Sequence, residues 1–458
     1  MSLQTTKHKH NAQPTLHIAQ RKRDLSNGGT NVIDTDAVEE LSRRTLGPEH
    51  KSLPPRSWGH TVESFLATSP RLSEFTTPVL TLDRARMASN ISVMADWTAR
   101  AGVLLAPHGK TSMAPQLWKQ QLDAGSWAIT LATGWQVQVA RAFGVGRIVL
   151  ANAEIDPVAL TWVAAELDSH PTFEFYCWAD SVATVHEMDR ILATQGQRPI
   201  PVIVELGGPH GRTGARTIEE AVSVARSIAA SSRLTLAGVG GYEGALSHDR
   251  SEDGLEAVRQ YLDRVADLHR ALVAEGLYGE HAVVTAGGSA YQDLVVERLH
   301  SLTTDDGVPT DVVLRSGAYV VHDDGFYSQI SPLTPARTDA PLTSAMHGWA
   351  RAVSRPEPGL ALLDAGKRDF PFDEGMPVPQ HIRGNELLDP GAEVTALNDQ
   401  HAFLRLPAES AAALPVGSVV RLGLSHPCTA FDKWRLVPVI DDADSDDPRV
   451  VDLVHTFF

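Results

Sequence analysis

From residue 78 onward, short apolar runs rich in β-branched residues alternate with longer amphipathic stretches. The runs are Val103–Ala106, Ala128–Leu131, Ile148–Leu150, Phe173–Cys177, Val202–Leu206, Leu234–Val239, Ala282–Thr285 and Val312–Leu314. Between them lie segments with a helical apolar period: Met113–Asp123, Trp135–Phe143, Ser181–Leu192, Ile218–Ala230 and Leu255–Ala274. Such alternation predicts βαβ units and a parallel sheet. Eight strands within about 215 residues match an (α/β)₈ TIM-like barrel in count and size.

After about residue 330 the helical period vanishes and prolines and glycines become frequent. Short runs at Leu360–Leu363, Glu393–Leu397, Ala402–Leu406, Ser418–Leu422 and Trp434–Pro438 predict an antiparallel β-domain. The expected organisation is a barrel over 75–325 and a β-domain over 330–458. Residues 1–50 are polar, lack either period, and are expected to form a mobile tail or an arm ordered only by a partner subunit. The acidic run Asp441–Asp447 is expected to be a solvated loop.

Composition narrows the function. The 458 residues are 43% hydrophobic and 21% charged, enough for a sizeable core. The net charge of −16 argues against nucleic-acid or anionic-membrane partners, which require a surplus of Lys and Arg. A small-molecule enzyme is the expectation. Two cysteines, Cys177 and Cys428, cannot staple a secreted scaffold and point to free thiols in a reducing compartment. With no run of 18 apolar residues and no signal-peptide core after the early basic residues, the expected location is the cytoplasm.

Several motifs fail on inspection. His108-Gly109-Lys110-Thr111 imitates the end of a P-loop, but Leu104 occupies the position of the required earlier glycine. Gly238–Glu243 ends in Glu243 where a dinucleotide fingerprint needs glycine, and His186-Glu187 has Arg190 in place of a zincin's second histidine. Lys110 is different. It follows the first predicted barrel strand, at the end where barrel active sites form, and a confined amine there can serve as a Schiff-base lysine. Gly287-Gly288-Ser289 and Arg315–Tyr319 follow strands seven and eight, where backbone N–H groups of such barrels often hold phosphate. An ordinary solvated lysine and ordinary turn glycines are the bland alternatives. The three features together favour an amine-reactive, phosphate-bearing cofactor, and pyridoxal 5'-phosphate (PLP) is the natural candidate.

These residues resemble the fold-type III PLP enzymes, in the group of D-serine dehydratase, D-threo-3-hydroxyaspartate dehydratase and D-threonine aldolase. Thr77–Asp83 with Asn90-Ile91 is similar to this group's start, and Pro107-His108-Gly109-Lys110-Thr111 to its cofactor-lysine motif. Glu205-Leu206-Gly207 leading to Arg212-Thr213-Gly214 resembles the strand whose arginine approaches the cofactor ring, although the insertion Gly208–Gly211 departs from the pattern. Tyr242, within Gly241–Gly244, and Gly287-Gly288-Ser289 resemble later cofactor-contacting loops, and Ser425-His426-Pro427-Cys428 resembles the C-terminal metal motif. The resemblance spans roughly 75–440.

It implies an alanine-racemase-like barrel and a homodimer. It also implies Lys110 as the catalytic, cofactor-bearing residue, with His108, Arg212, Tyr242, Gly287, Gly288 and Ser289 as cofactor contacts and His426 and Cys428 as metal ligands. The implied reaction is metal-assisted β-elimination of a D-3-hydroxyamino acid such as D-serine to a 2-oxo acid and ammonia. An aldolase releasing glycine and an aldehyde is the nearest rival. A racemase does not need the His426/Cys428 pair, and a non-catalytic PLP-binding protein would not need the second domain. A zinc-only structural module is weaker, since two cysteines cannot furnish the usual thiolate set. Proline at 427 favours extended backbone, in which 426 and 428 share a face and can ligate one ion. Aldolases of the group tend to carry Asp at the second position. Thiolate at Cys428 therefore favours zinc, over manganese or magnesium, and dehydratase over aldolase.

Overall fold

A computed structural model describes residues 32–208, 211–304, 307–383, 386–409 and 414–458. The strands are β1 Val79–Asp83, β2 Leu104–Leu105, β3 Ile129–Leu131, β4 Arg147–Ala153, β5 Glu174–Ala179 and β6 Ile200–Glu205. Next come β7 Leu234–Gly240, β8 Ala282–Ala286, β9 Thr310–Leu314, β10 Met346–Glu357, β11 Leu360–Leu363 and β12 Val378–Ile382. The last are β13 Glu386–Leu387, β14 Glu393–Leu397, β15 Ala402–Arg405, β16 Val419–Gly423, β17 Leu436–Ile440 and β18 Val450–His455.

Strands β2 to β9 form one parallel sheet in the order β2-β9-β8-β7-β6-β5-β4-β3. Its two ends meet. Trp127 N donates to Leu105 O at 2.6 Å, Thr130 N donates to Pro107 O at 2.9 Å, and His108 bridges Thr130 in parallel. The result is the predicted barrel. Its strands read as unbroken apolar runs because both faces are buried. Val149, Ile203, Val283 and Val313 join Trp127 and Trp178 in one cluster, whereas Ile148, Val202, Val204, Val284 and Val312 pack in a separate, larger one. That alternation is the period-two signature of an inside and an outside face.

The carboxy-terminal strands build the second sheet, in the order β13-β12-β16-β10-β1-β17-β18, with β11, β15 and β14 extending from β10. It is antiparallel as expected, except for the β1/β17 pair. The sequence reading placed 79–83 with the barrel. Instead β1 lies between β10 and β17, where the Thr81 hydroxyl accepts a hydrogen bond from Trp349 Nε1 at 2.8 Å.

The expected tail also needs correction. Residues 1–31 lie outside the described residues, but 32–50 are packed. Asp34 caps a short helix, Thr35–Glu39, by accepting from Ala37 N, and Val38, Leu41 and Leu46 are buried. These apolar positions are too few to register as a period, yet they suffice to dock the segment, which Asp34 N anchors to Phe143 O at 2.8 Å. The acidic run is likewise partly structural, since Asp444 pairs with both Arg86 and Arg421.

Candidate active site

The barrel's carboxy-terminal end and the second sheet meet at a cavity of about 250 Å³. Strand β2 leads through Pro107 into a 3₁₀ turn, Gly109–Thr111, that presents Lys110. Trp118 fixes this turn by donating from Nε1 to Gly109 O at 3.1 Å. Burial pushes the Lys110 amine below the ordinary lysine range; Cys428 pulls it back, while Arg212 and Arg315 push it further down. An amine of lowered basicity at a barrel strand end is suited to nucleophilic or base chemistry.

His108, Arg212, Tyr242, Gly288, Ser289, His426 and Cys428 line this cavity together with Lys110. Those predicted residues come from distant parts of the chain, so the fold unites them. The His108 Nδ1 is buried and unpartnered, and burial, followed by the charges of Lys110, Arg315 and Arg212, holds the ring well below the ordinary histidine range. The Arg212 guanidinium lies 4.8 Å from the Tyr242 ring centre. Burial, with Glu243 nearby, pushes the Tyr242 hydroxyl up to about 12.

Gly287 departs from its expected role. Gly287 N and Gly288 N donate to the two carboxylate oxygens of Glu243, at 2.9 and 2.7 Å. These amides are therefore already taken and do not face an incoming phosphate; Gly287 does not line the cavity. Ser289, Gly317 and Ala318 do line it. Gly317 is required by crowding, because a Cβ there would sit 2.6 Å from His108 O.

The His426/Cys428 geometry also differs from expectation. Residues Pro427–Phe431 form a short helix with Pro427 at its first position, where a missing N–H costs nothing. His426 precedes it in the left-handed region, φ 49° and ψ 79°. The period-two argument for an extended chain does not apply; a tight turn brings the pair together. Asp373 Oδ2 engages His426 Nδ1 at 2.5 Å and Asp373 Oδ1 accepts from Thr429 Oγ1 at 2.7 Å, leaving Nε2 for Cys428. The Cys428 Sγ is 3.4 Å from Thr111 Oγ1, beside the lysine turn. The hydrogen bond to Cys428 raises His426 to about 9, against burial and with help from Asp373. Burial would raise the Cys428 thiol, but hydrogen bonds from His426 and Thr111 and the Lys110 charge bring it below the usual thiol range.

Tyr327 also lines the cavity. Asp324 and His347 face each other at 3.9 Å away from it, and Asp323 binds backbone amides. Arg315, Trp178 and Asn152 also line it. Arg315 is buried 4.9 Å from the Trp178 ring, donating from Nη1 to Thr285 Oγ1 and from Nη2 to Gly241 O, while its Nε has no partner. Arg315 opened a noted turn but was assigned no role. Glu243 figured only as the residue that broke a glycine fingerprint. Asp373 gave no signal at all, standing 53 residues from His426.

Comparisons with known proteins bear on the family. Residues 345–440 match the family described as "Putative serine dehydratase domain". A D-threonine aldolase of Arthrobacter sp is 25% identical over 374 residues, covering 81% of this chain and 90% of that protein. A 3-hydroxy-D-aspartate aldolase of Paracoccus denitrificans (strain Pd 1222) is 28% identical over 309 residues, covering 67% and 76%. The solved structure of D-threonine aldolase from Filomicrobium marinum superposes with a TM-score of 0.70 at 22% identity, covering 84% of this chain and 96% of that one. The chain is similar to the fold-type III, D-serine dehydratase-like group of PLP lyases.

Likeness to this group implies PLP, and the residues present suit it. A half-buried amine, a half-buried histidine with an unpartnered ring nitrogen, two guanidinium groups and a glycine turn surround one cavity. The soft thiolate–imidazole donor pair also suits a zinc-like ion. Among the described residues no group of three or more His, Cys, Asp or Glu side chains could hold a metal, so a closed structural site is absent there. The lyase offers two donors, which would leave positions open for ligands from outside the chain.

Proposed function

We propose that this lyase carries out metal-assisted β-elimination on a D-3-hydroxyamino acid such as D-serine, yielding a 2-oxo acid and ammonia. One observation carries the reading: the His426–Cys428 pair sits against the lysine turn, with Cys428 Sγ 3.4 Å from Thr111 Oγ1. PLP, when bound, supplies an electron sink for negative charge developing at the substrate Cα. Lys110, His108, Arg212, Tyr242, Gly288 and Ser289 would hold it, with Arg315 and the Gly317 turn completing the cradle. Lys110, whose basicity burial lowers, would take the Cα proton. His426 and Cys428 would hold zinc, a Lewis acid that makes a 3-hydroxyl a better leaving group. Trp178 and Tyr327 wall the cavity.

A second reading, cleavage of Cα–Cβ to glycine and an aldehyde, draws on the names of the two curated relatives described above, both aldolases. The two reactions differ in the proton removed: elimination takes it from Cα, cleavage from the 3-hydroxyl. Thiolate at the second metal position favours elimination. Product analysis over a panel of D-3-hydroxyamino acids decides between them. A 2-oxo acid with stoichiometric ammonia supports elimination, and glycine with an aldehyde overturns it. The same reading includes a homodimer, which sedimentation of a fully active monomer would refute.

A further inference from the structure

The barrel half of the site ends in the segment after β9, and the second-sheet half enters at His426. One side chain touches both. Asp323, 1% exposed, accepts through Oδ1 from Gly325 N, Tyr327 N and Ser328 N, at 3.1, 2.9 and 3.2 Å. Through Oδ2 it accepts from His426 N at 3.2 Å. The two segments are also laced by Asp324 N to Leu424 O at 2.9 Å and Phe326 N to Ser425 Oγ at 3.3 Å. Asp323 thus fixes the backbones of Tyr327 and His426, both of which line the cavity.

His426 needs such support. A left-handed backbone is unfavourable for a residue with a Cβ and persists only where neighbours impose it. Asp373 holds the ring and Asp323 holds the amide. We infer that Asp323 is a positioning residue that sets the His426–Cys428 pair at the angle needed to grip a metal ion beside Lys110. This rests on the metal assignment made above. Asp323 touches neither the cavity nor the lysine turn, so its effect should fall on metal binding and spare the cofactor.

Asp323→Asn separates these roles. Its remaining carbonyl oxygen can still cap the 325–328 turn, whereas its NH₂ faces the His426 N–H. In PLP-loaded holoenzyme the expected result is an unchanged cofactor content, a zinc dissociation constant raised about 10- to 100-fold, and turnover restored by excess zinc. After chelator treatment, Cys428 should be alkylated by iodoacetamide faster than in the parent protein, because its turn is released; Cys177 is fully buried and does not contribute. Unchanged zinc affinity and unchanged alkylation overturn the inference. So does a loss of zinc and PLP together, which would mark a purely structural role. If the parent protein takes no zinc, the metal assignment falls while the alkylation rates still decide whether Asp323 positions the pair. Should Asp323→Asn not fold, Asp323→Ser, whose hydroxyl can cap the turn but not reach His426, is measured the same way.

Discussion

Glu243 provides the sharpest test of how the cavity is supported. Its side chain is fully buried, and its two oxygens accept the amides of Gly287 and Gly288 at 2.9 and 2.7 Å. Hydrogen bonds to a charged partner contribute roughly 1.5–3 kcal/mol each, and an orphaned buried donor costs about 1–3 kcal/mol. Glu243→Gln keeps one acceptor and turns an NH₂ toward the other amide. The local cost is then about 2–3 kcal/mol. The strained turn is expected to escape by moving Gly288 and Ser289 out of the cavity wall, so the cost reappears when PLP binds. At 1.4 kcal/mol per factor of ten, the PLP dissociation constant should rise on the order of 30- to 100-fold. The assay is a fluorescence titration of the cofactor-stripped protein with PLP, with circular dichroism verifying the fold. A constant within about threefold of the parent value, in a folded variant, refutes the claim that Glu243 shapes the cofactor cradle.

Other expected outcomes follow from the same geometry. Lys110→Ala should lose both turnover and the visible absorbance of lysine-bound PLP; full turnover would remove Lys110 from the mechanism. Chelator, and separately Cys428→Ala, should abolish elimination while leaving that absorbance intact; Cys428→Ala with full activity in metal-free buffer would end the metal-assisted reading. His455 is buried with both ring nitrogens unpartnered, and burial lowers its pKa to about 3, with Arg44 and His50 adding to the effect. Because the folded value lies below the unfolded 6.5, its stabilisation is present above pH 6.5 and fades as pH falls toward 3. Between pH 7 and 5 this amounts to about 2 kcal/mol. His455→Phe should flatten the fall in thermal midpoint over that range, and an equal fall in both proteins would contradict it.

Much of the barrel was legible because parallel strands buried on both faces leave unmistakable apolar runs, and the observed strands fall within a few residues of those runs. Strand β1 was not legible as part of the second sheet. Its sequence, Val79–Asp83, specifies a buried strand but not a partner, and its neighbours β10 and β17 lie hundreds of residues away. The site shows the same division. Residues recognised by motif, such as Lys110 and the His426/Cys428 pair, do converge on one cavity. Local geometry misled where two rules competed at Pro427: an X-Pro pair favours extended chain, but proline also favours the first turn of a helix, and the helix won. The supporting carboxylates were invisible, since Asp373, Glu243 and Asp323 act through amides and rings brought close only by folding.

Those carboxylates explain the electrostatic design. Among the described residues lining the cavity there is no Asp or Glu, although Lys110, Arg212, Arg315 and His426 all reach it. The acids stand one layer back. Glu243 binds the glycine turn, Asp373 orients the His426 ring, and Asp323 holds the His426 amide. Glu205 accepts from the Thr213 hydroxyl at 2.8 Å, and burial raises its carboxyl above the usual range. An acid in the wall itself would repel both anions that the proposed reaction brings in, the cofactor phosphate and the substrate carboxylate, in a space where water screens poorly. Held behind the wall, the same charges partly offset the buried cations without competing for ligands. The cavity therefore stays electropositive inside a chain whose net charge is −16. That local inversion of sign would let an acidic protein draw the anionic amino acid of the proposed reaction to a lysine of lowered basicity.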